Sequence, residues 1–181
     1  MNAAGIVEVT SIAKGIEICD HMIKTSEIDV LEAIPMCPGK YVIVISGEVA
    51  NVKSSMEAAA QKAGAYLIDS LLLADIDEQV FKAVNSTSSI GKIEALGMIE
   101  TFSVASCIKA SDAAAKAAYV ELIEVRLSRG MGGKSYVLLT GRVGDVKAAV
   151  EAGCEDARKE GMLAAFSVIP SPHEELHRFI Y

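Results

Sequence analysis

Cys37 lies in Pro35-Met36-Cys37-Pro38-Gly39, where the proline biases the residue before it toward extended backbone and the glycine releases the chain into the next strand. A cysteine followed by proline at a loop tip is a way of presenting a thiolate to an iron–sulfur cluster, but such a cluster needs three or four thiolates and this loop carries one. The residues alone leave two readings open: a simple exposed thiol, or a ligand multiplied by symmetry-related subunits. Cys19, Cys107 and Cys154 form no Cys-x-x-Cys pair with it or with each other. For those three a buried, inert thiol is expected.

Two further motifs carry the residue types of known chemistry without its setting. His173-Glu174-Glu175-Leu176-His177 matches H-E-x-x-H, the zinc-protease pattern of two ligands one helical turn apart with a carboxylate to activate water. Four residues come after it, with no third ligand among them, so an exposed C-terminal helix is the expectation. Gly130-Met131-Gly132-Gly133-Lys134-Ser135 resembles the end of a phosphate loop, yet Ser128 stands where its first glycine belongs. Tyr136–Leu139 then reads as a strand, which removes the helix N-terminus that would bind a phosphate.

The elements that must position these residues occur twice. At an offset of 92, Gly5, Glu8, Ser11, Asp20 and Lys24 fall on Gly97, Glu100, Ser103, Asp112 and Lys116. At an offset of 94, Gly39, Lys40, Gly47 and Val52 fall on Gly133, Lys134, Gly141 and Val146. The chain is therefore expected to hold two domains, 1–90 and 91–181, joined near Asn85–Ser89. In the first copy, Gly5–Val9, Ile28–Ile34, Lys40–Ser46 and Leu67–Leu73 have the β-branched or apolar character of strands. Ser11 caps a helix predicted to bury Ile12, Ile16, Cys19 and Ile23, and Val49, Val52, Met56, Ala60 and Ala63 mark a second helix that Gly64 ends. The β-α-β-β-α-β order predicts an α+β fold: two tandem ferredoxin-like sandwiches, each an antiparallel-dominated sheet with helices on one face.

Composition narrows the partners. With 24 acidic against 17 basic residues and no basic run, the chain lacks the cations that displace counterions from nucleic acid. Its apolar runs fall far short of the ~20 residues of a membrane span, and its first residues show neither secretory nor transit character. A reducing cytoplasm is expected, and with it no disulfides. The apolar share, 51%, is high enough that some of it is expected to close subunit interfaces.

The tandem repeat, the Asp20–Lys24 and Asp112–Lys116 segments, the Gly47-Glu48-Val49 and Gly141-Arg142-Val143 turns and the ending Val168-Ile169-Pro170-Ser171-Pro172-His173 resemble a bacterial microcompartment shell protein with two such domains. The resemblance implies a non-enzymatic homotrimer forming a six-sided tile in a shell within the cytoplasm, beside other shell proteins. Three copies of each loop would ring a pore lined by Met36, Pro38, Gly39, Arg129, Gly130, Met131, Gly132 and Gly133. Thr10–Gly15, Cys37-Pro38-Gly39-Lys40 and Gly132-Gly133-Lys134 are similar to a member in which the first-repeat loop cysteine of three subunits binds one [4Fe-4S] cluster. Carried over, that metal ligand is Cys37, and a redox enzyme on one face would be its electron partner. Lys24 and Lys116 match the edge lysine that contacts the next tile, and Ser171 stands where the family often has arginine. Two other expectations stay open: a metabolite-conducting pore without a cluster, in which Arg129 favours anions, and a duplicated domain that senses a small molecule.

Overall fold

The computed structural model describes residues 2–128 and 130–180. The chain falls into two compact units, Met1–Ile76 with Ser128–Gly133, and Asp77–Leu127 with Lys134–Tyr181.

In the first unit β1 (Asn2–Val9), α1 (Ile12–Thr25), β2 (Asp29–Met36), β3 (Lys40–Glu48), α2 (Val49–Ala63) and β4 (Leu67–Leu73) form an antiparallel sheet of order β2-β3-β1-β4 with its two helices. The Ser11 hydroxyl accepts a hydrogen bond from the Lys14 N–H at 3.3 Å and starts α1. Gly64, at φ 51°, ends α2 in a conformation that side chains disfavour. Val7, Val9, Tyr41, Ile43 and Ile45 pack from the sheet against Ile18, Met22, Val52 and Ala59 of the helices.

The second unit repeats the plan. It holds β5 (Ala95–Thr101), α4 (Val104–Ala117), β6 (Val120–Arg126), β7 (Ser135–Gly141), α5 (Val143–Lys159) and β8 (Leu163–Ile169), in sheet order β6-β7-β5-β8. Even the irregularities recur: the register slips at Val30/Glu32 and Glu8/Val9 reappear at Leu122/Glu124 and Glu100/Thr101. Two short helices complete this unit. α3 (Glu78–Val84) packs on β6 and α4, and α6 (Glu174–His177) lies beside the sheet face opposite the long helices, where Leu176 and Ile180 meet Leu96 and Leu138.

The inward face of α1 differs from the expected one. Gly15, Ile18, Cys19 and Met22 are buried, whereas Ile12, Ile16 and Ile23 face outward. Apolar spacing finds a stripe but does not say whether the core or another surface covers it, and Gly15, invisible to such counting, marks the side that approaches the sheet. On α2 the inward residue is Ala59, with Ala60 exposed, and Ser55 donates to the Met22 carbonyl at 3.1 Å to tie the two helices.

Glu17 adds a second tie between these helices, pairing with Lys14 and Lys62 at 2.6 Å each. The hydrogen bonds from Lys14 and then Lys62 hold its carboxyl down to about 2. A carboxylate lowered on folding stabilises above its unfolded range and loses that contribution as pH falls from about 4.5 toward 2. Glu17→Gln is therefore expected to melt slightly below the native protein at neutral pH, with the gap closing through that acid window and shrinking in high salt. Melting curves at pH 7, 4 and 2 check this.

Candidate functional site

The β2–β3 turn carries the candidate ligand. Met36 ends β2, Lys40 begins β3, and the Gly39 N–H donates to the Met36 carbonyl at 2.8 Å to close the turn, with Gly39 at φ +94°. Cys37 is half-buried, Pro38 and Gly39 are exposed, and the Cys37–Pro38 peptide is cis. Met36 itself is buried within the chain.

The glycine-rich segment of the second repeat lies in the same compact unit as this turn. Gly130, Gly132 and Gly133 all have positive φ, and the Ser128 hydroxyl donates to the Gly133 carbonyl at 2.9 Å. A side chain built on Gly133 would place its Cβ 3.6 Å from the Cys37 carbonyl oxygen. Gly130 and Gly132 are exposed and Met131 is half-buried. Arg129 lies outside the described residues.

At the base of each turn a lysine pairs with a strand glutamate. Lys134 pairs with Glu100, and Lys40 reaches Glu8 at 3.4 Å. Glu8 is the more consequential of the two: it is 3% exposed, and its Oε1 has no hydrogen-bond partner among the described residues. Sequence reasoning overlooked this pair, although a glutamate inside Ile6-Val7-Glu8-Val9, repeated as Glu100, was the available signal.

The other thiols are chemically quiet. Burial pushes Cys107 up to about 12 and Cys154 up to about 11, and it also raises Cys19, so none offers a thiolate at neutral pH. Among the described residues no three histidine, cysteine or acidic side chains of one chain cluster to hold a metal ion. The H-E-x-x-H segment is structural as well. His173 caps α6, its Nδ1 accepting from the Glu175 N–H at 3.2 Å, and Leu176 packs on the sheet.

Lys24 and Lys116 each lie in the last turn of a helix and pair with Asp20 and Asp112 one turn earlier, both at 2.7 Å. Ser171 is exposed just beyond β8.

The two repeats differ in what they leave open. Ile16 is 56% exposed, while its counterpart Ile108 is 1% exposed. Val30 is 37% exposed against 2% for Leu122, and Ile12 is exposed where Val104 is buried. One and the same face is thus open on the first repeat and closed on the second.

The BMC-domain family model matches residues 3–76 and 95–172, one match for each repeat. The chain belongs to the BMC-domain family. It is a tandem-domain shell protein of bacterial microcompartments, 42% identical to the shell protein PduT of Citrobacter freundii over 97% of this chain and 96% of that one. EutM of Escherichia coli K12, also a microcompartment shell protein, is 44% identical over 84 residues, 46% of this chain and 84% of its own length. A single repeat here thus corresponds to most of that protein. Among solved structures, a microcompartment protein from Desulfitobacterium hafniense superposes with a TM-score of 0.96 at 48% identity, covering 98% of this chain and 99% of that one. Among the described residues, no helix of this BMC protein is long and apolar enough to cross a membrane.

Proposed function

We propose that this protein is a non-catalytic shell tile, a pseudohexameric homotrimer, in which Cys37 of three subunits holds one [4Fe-4S] cluster on the threefold axis for electron transfer across the shell. The observation that carries the reading is the contrast among the thiols: Cys37 alone sits in a turn with partial access to solvent, and the other three are buried and held protonated. One such thiol per chain fits a cluster only through symmetry, and rotation about a threefold axis supplies three from a single sequence position. The open face of the first repeat supports association, because the equivalent face of the second is covered. The likeness to PduT over nearly the whole chain supports a tile-forming role.

The chain's own residues then have defined tasks. Gly39 turns the backbone so that Cys37 precedes a close reversal, and Lys40, paired with Glu8, anchors the end of that turn to β1. Gly133, at φ +91°, turns the second-repeat loop back beside the Cys37 carbonyl. A bound cluster supplies one-electron exchange, and a redox enzyme docked on one face of the tile is the partner that exchange needs.

Protein purified without oxygen is expected to be a brown trimer carrying iron and sulfide at one [4Fe-4S] cluster per three chains, with a paramagnetic signal on reduction. Cys37→Ser is expected to abolish the iron while preserving the trimer. A colourless native trimer, or iron retained in Cys37→Ser, defeats the cluster and leaves the metabolite-pore reading in its place.

A further inference from the structure

The second repeat holds a cavity of about 520 Å³ at the end of its sheet where β6 begins and β7 ends. All of its lining residues belong to the second compact unit. The volume falls within the range of small-molecule sites, ~300–1,000 Å³. Lys92 and Arg142 bring positive charge to the cavity, Glu94 and Glu121 bring negative charge, and Tyr119 with Val120 supplies an apolar wall. Thr140, also in the lining, is buried and fixes the segment that carries Lys92 and Glu94. Its hydroxyl accepts from the Glu94 N–H at 3.2 Å and donates to the Ala95 carbonyl at 2.8 Å.

The polar groups around this cavity are not consumed by the fold. Among the described residues, Lys92, Tyr119 and Glu121 have no side-chain hydrogen bond or ion pair. Arg142 donates its Nε to Asp145 at 2.7 Å, which uses one of its five N–H donors. Asp145, and after it Glu94, raise Arg142 above its ordinary value, so its charge is secure. Tyr119 is 87% exposed, more than any other large apolar side chain among the described residues. The internal repeat supplies the contrast. Where the second copy has Tyr119, Glu121 and Arg142, the first has Glu27, Asp29 and Glu48. One copy is acidic at all three positions, and the other combines both signs with an aromatic ring. Folding does not require the mixed set, because the first copy builds the same strands without it, and neither Glu48 nor Arg142 makes a side-chain bond to the helix that follows.

We infer that this cavity binds a small zwitterion of the α-amino-acid type with an apolar side chain. The ligand's carboxylate pairs with Lys92 and Arg142, its ammonium group with Glu94 and Glu121, and its side chain lies on Tyr119 and Val120. A plain anion meets two carboxylates there, and a plain cation meets two basic groups. Only a ligand with both charges gains charge-assisted hydrogen bonds from all four. An apolar side chain laid on the Tyr119 ring also removes exposed apolar surface from water. Solvent screens each of these pairs, so the affinity is modest and the selectivity for paired charges is the signature. The site depends on neither the cluster nor the threefold assembly proposed above.

L-Phenylalanine, phenethylamine and 3-phenylpropionate share a ring and differ in charge, which makes them the probes. Calorimetry on the native protein is expected to show L-phenylalanine bound about tenfold or more tighter than either analogue, the worth of one charge-assisted hydrogen bond. Arg142→Glu, which imports the first repeat's residue, is expected to lower that affinity about tenfold with an unchanged circular dichroism spectrum. The mirror substitution Glu48→Arg is expected to leave it unaltered. Glu121→Gln is expected to weaken L-phenylalanine and tighten 3-phenylpropionate, opposite shifts that damage to the fold does not produce. Equal affinities for the three probes, no binding by any of them, or indifference to both Arg142→Glu and Glu121→Gln overturns the site and leaves the shell role standing.

Discussion

Gly15→Cys is expected to lower stability by about 3 kcal/mol and the melting midpoint by roughly 6–12 °C. A Cβ at position 15 would stand 2.3 Å from Tyr41 Cδ1, 2.4 Å from its Cγ and 2.5 Å from its Cβ. These atoms are the root of the ring, not a flexible end. The ring is held by burial and by its hydroxyl, which donates to the Ala33 carbonyl at 2.8 Å. The gain in helix propensity on replacing a helical glycine by cysteine, about 0.3 kcal/mol, is too small to offset the overlap. The second repeat shows the compensated form, with buried Cys107 and Ser135 where the first has Gly15 and Tyr41. Tyr41→Ser alone leaves a cavity and is expected to cost about 3–5 kcal/mol. Together the two substitutions import the second repeat's pairing, and the double variant is expected to recover about 2 kcal/mol relative to the sum of the singles. Additivity within about 0.5 kcal/mol in denaturant titrations would falsify this complementary pairing.

That exchange shows what the sequence made legible and what it hid. The repeat, the strand order and the capping serines could be read because each rests on local chemistry written twice. Ser11 and Ser103 both cap, and both sheets carry register slips at the same places. The facing of α1 could not be read, because Ile12, Ile16 and Ile23 are as apolar as a core stripe and only the glycine's contact with Tyr41 decides which side turns inward. α3 was missed because its seven residues are too few to show a period, and its place is set by tertiary contacts with β6 and α4. Cys37 stands out as a candidate by type and neighbourhood. Glu8 was passed over because in a strand pattern a lone carboxylate reads as a solvent-facing position, and its burial arises only when the sheet is assembled.

Lys40→Met is expected to cost about 3 kcal/mol, because it leaves the Glu8 carboxylate buried without its cation. The equivalent Lys134→Met is the internal control. Glu100 is more exposed than Glu8, water can solvate it once the lysine is gone, and the cost there is expected to be about 0.5 kcal/mol. Removing both charges of the first pair, as Glu8→Met with Lys40→Met, is expected to return stability to near the native value, since an apolar pair escapes the desolvation that the orphaned Glu8 Oε1 already suffers. The double substitution nonetheless removes the ion pair between the end of the Cys37 turn and β1, so occupancy of the proposed cluster is expected to fall while folding recovers. Equal costs for Lys40→Met and Lys134→Met in chemical denaturation would show that Glu8 finds water after all. Cluster occupancy equal to the native protein's in the refolded double variant would show that the ion pair does not hold the proposed ligand in place.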